Sequence, residues 1–265
     1  MEKKIISVII PCRNELNHIE KLINSIYESD YPKNLIEIIV VDGMSNDGTR
    51  DLLFSIVNKR KINIKVIDNI KKKTPYAFNI GIKASTGHFI LIAGARFILS
   101  NNYLSEAYKA IVSDKNIGCV GGQIINLFDN KNSEIISKAM SSIFGVGFNN
   151  FRTVTEDKFV DTVTPPFFRK TIFNEVGYFD EMLSRNQDDD FSFRLIKLGY
   201  KILLKSNIYI KYQVRESFQK LYLQYKQYGY WKVFVNRKHK VVTTLRQLFP
   251  LLFLTSIILF SLLGF

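Results

Sequence analysis

The sequence predicts an α/β fold: a doubly wound, mostly parallel sheet followed by a C-terminal membrane helix. Three observations carry that expectation. Short runs rich in Ile and Val carry almost no polar residue, as strands buried on both faces do. Segments with helical spacing separate them, giving the alternation of a parallel sheet with crossover helices. The last stretch, from Gln247 to Phe265, carries no charge.

The elements follow in order. Ile5–Pro11 is a β-rich run, and His18–Glu28 places Ile19, Leu22, Ile23 and Ile26 on one helical face. Glu37–Asp42 is a buried strand, Thr49–Val57 a helix and Ile64–Ile67 a strand. Thr74–Ala84 is helical, with Pro75 tolerated in its first turn, and His88–Ala93 is again a buried strand. The second half is less regular. Strands are expected at Ile117–Ile125, Val160–Val163, Phe167–Arg169, Ile202–Leu204 and Ile208–Tyr212. Helices are expected at Ser133–Phe144, at Asp188–Leu198 (ended by Gly199) and at Ser217–Tyr230, with Gly145–Asn150 a loop.

The simplest division is a catalytic domain over residues 1–240 and a transmembrane or membrane-anchoring helix over 247–265. The apolar run Leu248–Phe265 has 18 residues, which as a helix reach roughly 27 Å against a ~30 Å hydrocarbon core. Lys226, Lys232, Arg237, Lys238, Lys240 and Arg246 precede it, which predicts a cell-membrane protein with its catalytic domain in the cytoplasm. The net charge of +13 fits nucleic acid, an anionic membrane or an anionic substrate. No nucleic-acid motif is present, so nucleic acid is not expected as a partner. Cys12 and Cys119 sit in apolar runs and read as reduced, buried thiols.

Four constellations can carry chemistry. Pro11-Cys12-Arg13-Asn14-Glu15 ends the first strand, where open α/β sheets bind ligands; its plainer reading is a strand-to-helix turn. Asp42 ends the second strand, where a carboxylate can accept from a ribose or uracil, while Ser45 and Asp47 suit either ligand binding or helix capping. Lys71, Lys72 and Lys73 precede a helix N-terminus, a combination suited to a diphosphate, or form a solvated basic loop. Asn79 and Gly81 on that helix serve packing. Asp188, Asp189 and Asp190 open another helix, more carboxylate than capping requires. Asp188 is a candidate general base for an acceptor hydroxyl; Asp189, about 100° round the helix, is expected to face solvent, and Arg194 to anchor the helix.

Taken together, Val8–Glu15, the Asp42–Thr49 turn, the Asn79/Gly81 helix, Asn186–Arg194 closing with Gly199-Tyr200-Lys201-Ile202, and Gln224–Lys232 resemble the inverting family 2 glycosyltransferases of GT-A fold, in particular the succinoglycan-type exopolysaccharide enzymes. The resemblance runs from about Ile5 to Lys240. It implies that Pro11, Arg13, Glu15, Asp42 and Asp47 hold the donor nucleotide and that Asp188 is the base. The reaction implied is one in-line displacement from a nucleotide-sugar donor to a saccharide or lipid-linked acceptor, building a surface or extracellular polysaccharide.

Three departures stand out. The family's Asp-x-Asp or Asp-x-His after the fourth strand, which helps bind Mg²⁺ or Mn²⁺, is matched here by Gly94-Ala95-Arg96. Side chains of Gly and Ala cannot ligate a metal, and Arg repels one. Either Arg96, with Lys71 or Lys72, neutralises the diphosphate directly, or the chain is an inactive relative serving as a nucleotide-binding membrane scaffold; the metal stays open. Gln227-Tyr228-Gly229-Tyr230-Trp231 resembles the Gln-x-x-Arg-Trp acceptor motif with Tyr230 in place of Arg. Gln227 and Trp231 are then acceptor-binding, or Trp231 marks a membrane interface. Gln187 stands where many relatives carry Glu, which affects only the tuning of Asp188.

Overall fold

The structure is a computed structural model that describes residues 3–59, 63–142, 156–215, 217–243 and 249–263. Strands β1 (Ile6–Cys12), β2 (Ile36–Asp42), β3 (Asn63–Asp68) and β4 (Phe89–Ile92) alternate with helices α1 (Ile19–Tyr27), α2 (Thr49–Lys59) and α3 (Thr74–Ala84). Then come β5 (Phe97–Leu99), α4 (Tyr103–Ser113), β6 (Ile117–Leu127), α5 (Lys131–Ser141), β7 (Lys158–Val160), β8 (Phe167–Arg169) and the single turn α6 (Ile172–Glu175). The chain continues through α7 (Gln187–Lys197), β9 (Lys201–Gln213), α8 (Phe218–His239) and α9 (Phe249–Leu262).

The described strands form one sheet in the order β3-β2-β1-β4-β8-β6-β9-β5, with β7 also paired to β9. The first four are parallel, as expected from their continuous apolar runs. In β1, Val8 and Ile10 pack into one core with Leu22, Leu53 and Leu104, and Ile9 points into the other with Ile82 and Phe168. Both faces of β1, β2 and β4 are therefore dry, which is why alternation is absent from their sequence, whereas the edge strand β3 is half-exposed. Helix α3 lies so close to β1 that a Cβ on Gly81 would come within 2.3 Å of Ile9 Cγ2.

The far half corrects the expectation of a mostly parallel sheet. β8 enters antiparallel between β4 and β6, while β5 and β7 pair antiparallel with β9; only β6 and β9 are parallel there. The sheet is mixed because these strands return without a crossover helix between each pair. The two expected strands Ile202–Leu204 and Ile208–Tyr212 are one strand, β9, and residues 97–113, to which the sequence assigned no element, hold β5 and α4. The strand expected at Val160–Val163 lies earlier, at Lys158–Val160. Helix α5 covers most of the expected Ser133–Phe144, and the loop expected at Gly145–Asn150 lies outside the described residues.

The C-terminal helix corrects another expectation. Phe249–Leu262 spans 14 residues, roughly 21 Å, well short of a bilayer core. Among the described residues no helix is long and apolar enough to cross a membrane; residues 247, 248, 264 and 265 lie outside them. The helix nevertheless exposes Leu252, Phe253, Leu254, Ile257, Ile258 and Leu259.

Candidate active site

The parallel register aligns the strand ends. Cys12, Asp42 and Asp68 face one another across β1, β2 and β3, so the loops that follow gather at one edge. Two of these loops are laced together. Asn14, at φ 54°, donates its backbone N–H to Ser45 Oγ (2.8 Å) and accepts from the Asn46 N–H on Oδ1 (3.0 Å). The Glu15 N–H donates to Thr49 Oγ1 (3.0 Å), and the Leu16 N–H to Asp47 Oδ2 (3.3 Å).

Asp42 is 0% exposed. Its carboxylate accepts from the Ser45 N–H (3.1 Å), the Ser45 hydroxyl (2.5 Å) and Arg50 Nη1 (2.7 Å). Arg50 reaches Asp68 at 2.7 Å as well. This supplies the partners that a buried carboxylate requires. Asp47 accepts from the Thr49 N–H (3.0 Å) and hydroxyl (2.5 Å) at the start of α2. Burial pushes its carboxyl up, but the bonds from Thr49 and Leu16 outweigh that and leave it below the usual range. Both aspartates thus shape the edge through the protein's own donors. Pro11 lies in β1 opposite Val41, and exposed Arg13 lays its stem over Gly43. Burial and the charges of Asp42, Glu15 and Asp47 push the Cys12 thiol up, so it remains protonated.

Arg96, just beyond β4, donates its Nε to both carboxylate oxygens of Glu15 (3.0 and 2.9 Å) and keeps 35% of its side chain exposed. Exposed Lys71 and Lys72 sit in the loop after β3. That loop is tied to the same edge by Asn69 N–H to Asp42 O (2.7 Å) and Lys72 N–H to Asn69 O (3.0 Å). The structure therefore brings the nucleotide- and diphosphate-binding candidates to one rim.

The base candidate comes from the second half of the chain. The α3 residue Asn79 reaches across to the loop before α7: Nδ2 donates to Phe179 O and Glu181 Oε1 (2.9 Å each), and Oδ1 accepts from the Phe179 N–H (3.0 Å). Asn79→Ala leaves two backbone groups of Phe179 unpaired. It is expected to lower stability by about 3 kcal/mol, read as a lower midpoint in urea unfolding.

The three adjacent aspartates of α7 have separate environments. Asp190 is fully buried and meets Arg194 (3.0 Å), Lys238 (2.8 Å) and His239 (2.8 Å). Burial raises its carboxyl, and these partners together bring it below the usual range. Arg194 also donates to Val176 O (2.5 Å) and Tyr178 O (2.8 Å), anchoring the helix as expected. Asp189, expected to face solvent, is instead paired with Lys232 Nζ at 2.8 Å and accepts from Asn186 Nδ2 at 3.1 Å. Asp188 alone of the three is exposed. Surrounding protein and the Asp189 charge still raise its carboxyl to about 6.

Helix α8 contacts the start of α7 and Arg185 ahead of it. Gln227 Oε1 accepts from Arg185 Nε (3.0 Å), and Trp231 packs edge-on against Tyr230 and tilted against Phe234. Burial and the Asp188 charge push the Tyr228 hydroxyl up, so it stays protonated while accepting from Gln224 Nε2 (2.8 Å). Tyr228 and Lys232 were not singled out as site residues by the sequence. Their four-residue spacing, continued by Val235 and His239, was the available signal for one inward face.

The chain's relationships follow the same geometry. Residues 7–177 match the family described as Glycosyl transferase family 2. This chain is a family 2 glycosyltransferase. A Methanococcus voltae dolichyl N-acetyl-alpha-D-glucosaminyl phosphate 3-beta-D-2,3-diacetamido-2,3-dideoxy-beta-D-glucuronosyltransferase is 35% identical, over 88% of this chain and 74% of that protein. The succinoglycan biosynthesis protein ExoA of Rhizobium meliloti is 27% identical, over 92% of this chain and 74% of its own. Staphylococcus aureus TarS 1–349 in complex with UDP-GlcNAc superposes with TM-score 0.62 at 20% identity, covering 80% of this chain and 59% of that one. A Pyrobaculum calidifontis mannosyltransferase with GDP-Man and Mn²⁺ superposes with TM-score 0.61 at 18% identity, over 79% and 57%. These likenesses establish the GT-A fold of this glycosyltransferase.

The rim of this glycosyltransferase does not fit a divalent metal. Gly94 and Ala95 offer no side-chain donor, and the neighbouring Arg96 is a cation held by Glu15. Among the described residues no group of three or more His, Cys, Asp or Glu could hold a metal ion.

Proposed function

We propose that this glycosyltransferase moves a sugar from a nucleotide-sugar donor to a hydroxyl of a lipid-linked saccharide, with inversion, in the synthesis of a surface or extracellular polysaccharide. The observation that carries this reading is Asp188, an accessible carboxylate raised to about 6 and flanked by two neighbours already consumed in ion pairs. The rim of Arg13, Glu15, Asp42, Asp47, Lys71, Lys72 and Arg96 is the proposed seat of the nucleoside diphosphate, and Asn79 of α3 ties the loop ahead of Asp188 to that half of the sheet. Asp188 takes the acceptor proton, the acceptor oxygen bonds the anomeric carbon, and the carbon–oxygen bond to the diphosphate breaks in line. The nucleoside diphosphate leaves with the bonding electrons, its charge met by Arg96 and the two lysines. Gln227 and Trp231 line the acceptor side.

A lipid-linked acceptor agrees with the name of the Methanococcus voltae relative and with α9, and a polysaccharide product with that of the Rhizobium meliloti one. Its exposed apolar side chains, preceded by exposed Lys226, Arg237 and Lys240, suit attachment to an anionic membrane surface with the catalytic domain on the cytoplasmic side. Lys232 and Lys238 do not contribute to that collar, since Asp189 and Asp190 hold them.

The test is donor turnover by the purified chain with UDP-, GDP- and dTDP-sugars in Mg²⁺, Mn²⁺ or EDTA. The expected result is turnover of one donor class that survives EDTA. Nucleotide binding with no turnover of any donor would instead support a second reading, an inactive nucleotide-binding scaffold, which the missing metal carboxylates at Gly94 and Ala95 motivate.

A further inference from the structure

Lys232 is 8% exposed, although it lies in the basic stretch of α8. A lysine gives up solvation at that depth only for a partner of opposite charge. That partner is Asp189, at 2.8 Å. The placement puts one cation against two adjacent carboxylates at the start of α7. We propose that Lys232 is a positioning residue for catalysis: through Asp189 it fixes the first turn of α7 against α8 and supplies the charge that lets Asp188 act as an anion beside Asp189.

This inference rests on the reading of Asp188 as base. The other charged groups nearby are committed elsewhere. Asp190 is met by Arg194, Lys238 and His239, Arg185 turns to Gln227, and Tyr228 stays protonated. Asp189 raises the Asp188 carboxyl, and Lys232 is the cation that lowers it. Two carboxylates in one cleft without a counter-charge would hold a proton between them.

The experiment compares the pH profile of kcat/KM for Lys232→Met, Lys232→Arg, the double variant Asp189→Asn/Lys232→Met, and Asp188→Asn, each checked for cooperative unfolding. Lys232→Met is expected to move the acidic limb up by about 1 pH unit. Lys232→Arg and the double variant, which keep or neutralise the pair, are expected to return it near the wild-type position. An unmoved limb in Lys232→Met overturns the proposal. So does an equal loss at every pH that the double variant shares, which marks Lys232 as structural only. If Lys232→Met fails to fold, Asp189→Asn decides against the double variant: with Lys232 still present its limb is expected to lie below that of Asp189→Asn/Lys232→Met, and coincident limbs overturn the proposal. Asp188→Asn separates the two readings: if it is inactive while the Lys232→Met limb stays put, Lys232 alone is refuted; if it is fully active, the base assignment falls and this inference with it.

Discussion

Asp188→Asn is expected to lower kcat for transfer by about 10²–10⁴-fold, the range that a positioned general base supplies. Asparagine keeps the size and the backbone contacts of the helix start but cannot take a proton, so donor affinity should change little. In the wild type, a carboxyl at about 6 predicts kcat/KM that falls as pH drops through that value, because only the anion is competent. The same group makes a stability prediction of opposite sign. Its folded pKa lies above the ordinary carboxylate value, so the native state binds the proton more tightly than the unfolded chain does. The ionised side chain therefore weakens the fold progressively as pH rises from about 4 to about 6, and fully above that. Asp188→Asn should raise the unfolding temperature at neutral pH while abolishing turnover, the trade-off expected of a functional carboxylate. A variant with wild-type kcat at neutral pH would remove Asp188 from the chemistry.

That division between fold and site also explains what the sequence made legible. β1, β2 and β4 could be read because they are buried on both faces, so Val8 to Ile10, Ile38 to Val41 and Phe89 to Ile92 form apolar runs, while β3, half-exposed at the sheet edge, showed in Ile64, Val66 and Ile67. β9 could not be read whole. It is half-exposed, with Ile202, Leu204, Ile208 and Ile210 buried, and Lys205-Ser206-Asn207 reads like a turn. β5 has three residues, too few for any period. Helix α4 did carry the signal, in Tyr103, Leu104, Ala107, Tyr108 and Ile111, although no element was expected there. The site follows the same logic. Asp188 stood out as one of three adjacent aspartates, but their separate environments depend on α8, which lies dozens of residues downstream. A charged stretch ahead of an apolar segment reads as a membrane collar; nothing in its composition reveals that Lys232 and His239 turn inward.

Arg96→Ala is expected to cost about 10²–10³-fold in kcat, the scale of removing one preorganised group aimed at developing charge. Transfer leaves negative charge on a diphosphate oxygen, and the strand end proposed to meet it offers Gly94, Ala95 and Arg96. Of these three only Arg96 can answer that charge, and Glu15 holds its guanidinium through Nε with a third of the side chain open. A fork of donors matches phosphate oxygens better than a point charge, so Arg96→Lys should recover part of the loss but not all. Glu15→Gln should weaken the hold on Arg96 and produce a smaller fall in kcat. Lys71→Ala and Lys72→Ala, on a loop more open to solvent, should raise the donor KM more than they lower kcat. Steady-state kinetics in EDTA measure all five. Strict dependence of the wild type on Mg²⁺ or Mn²⁺, or wild-type kcat in Arg96→Ala, would show that the leaving diphosphate is stabilised by something other than this arginine.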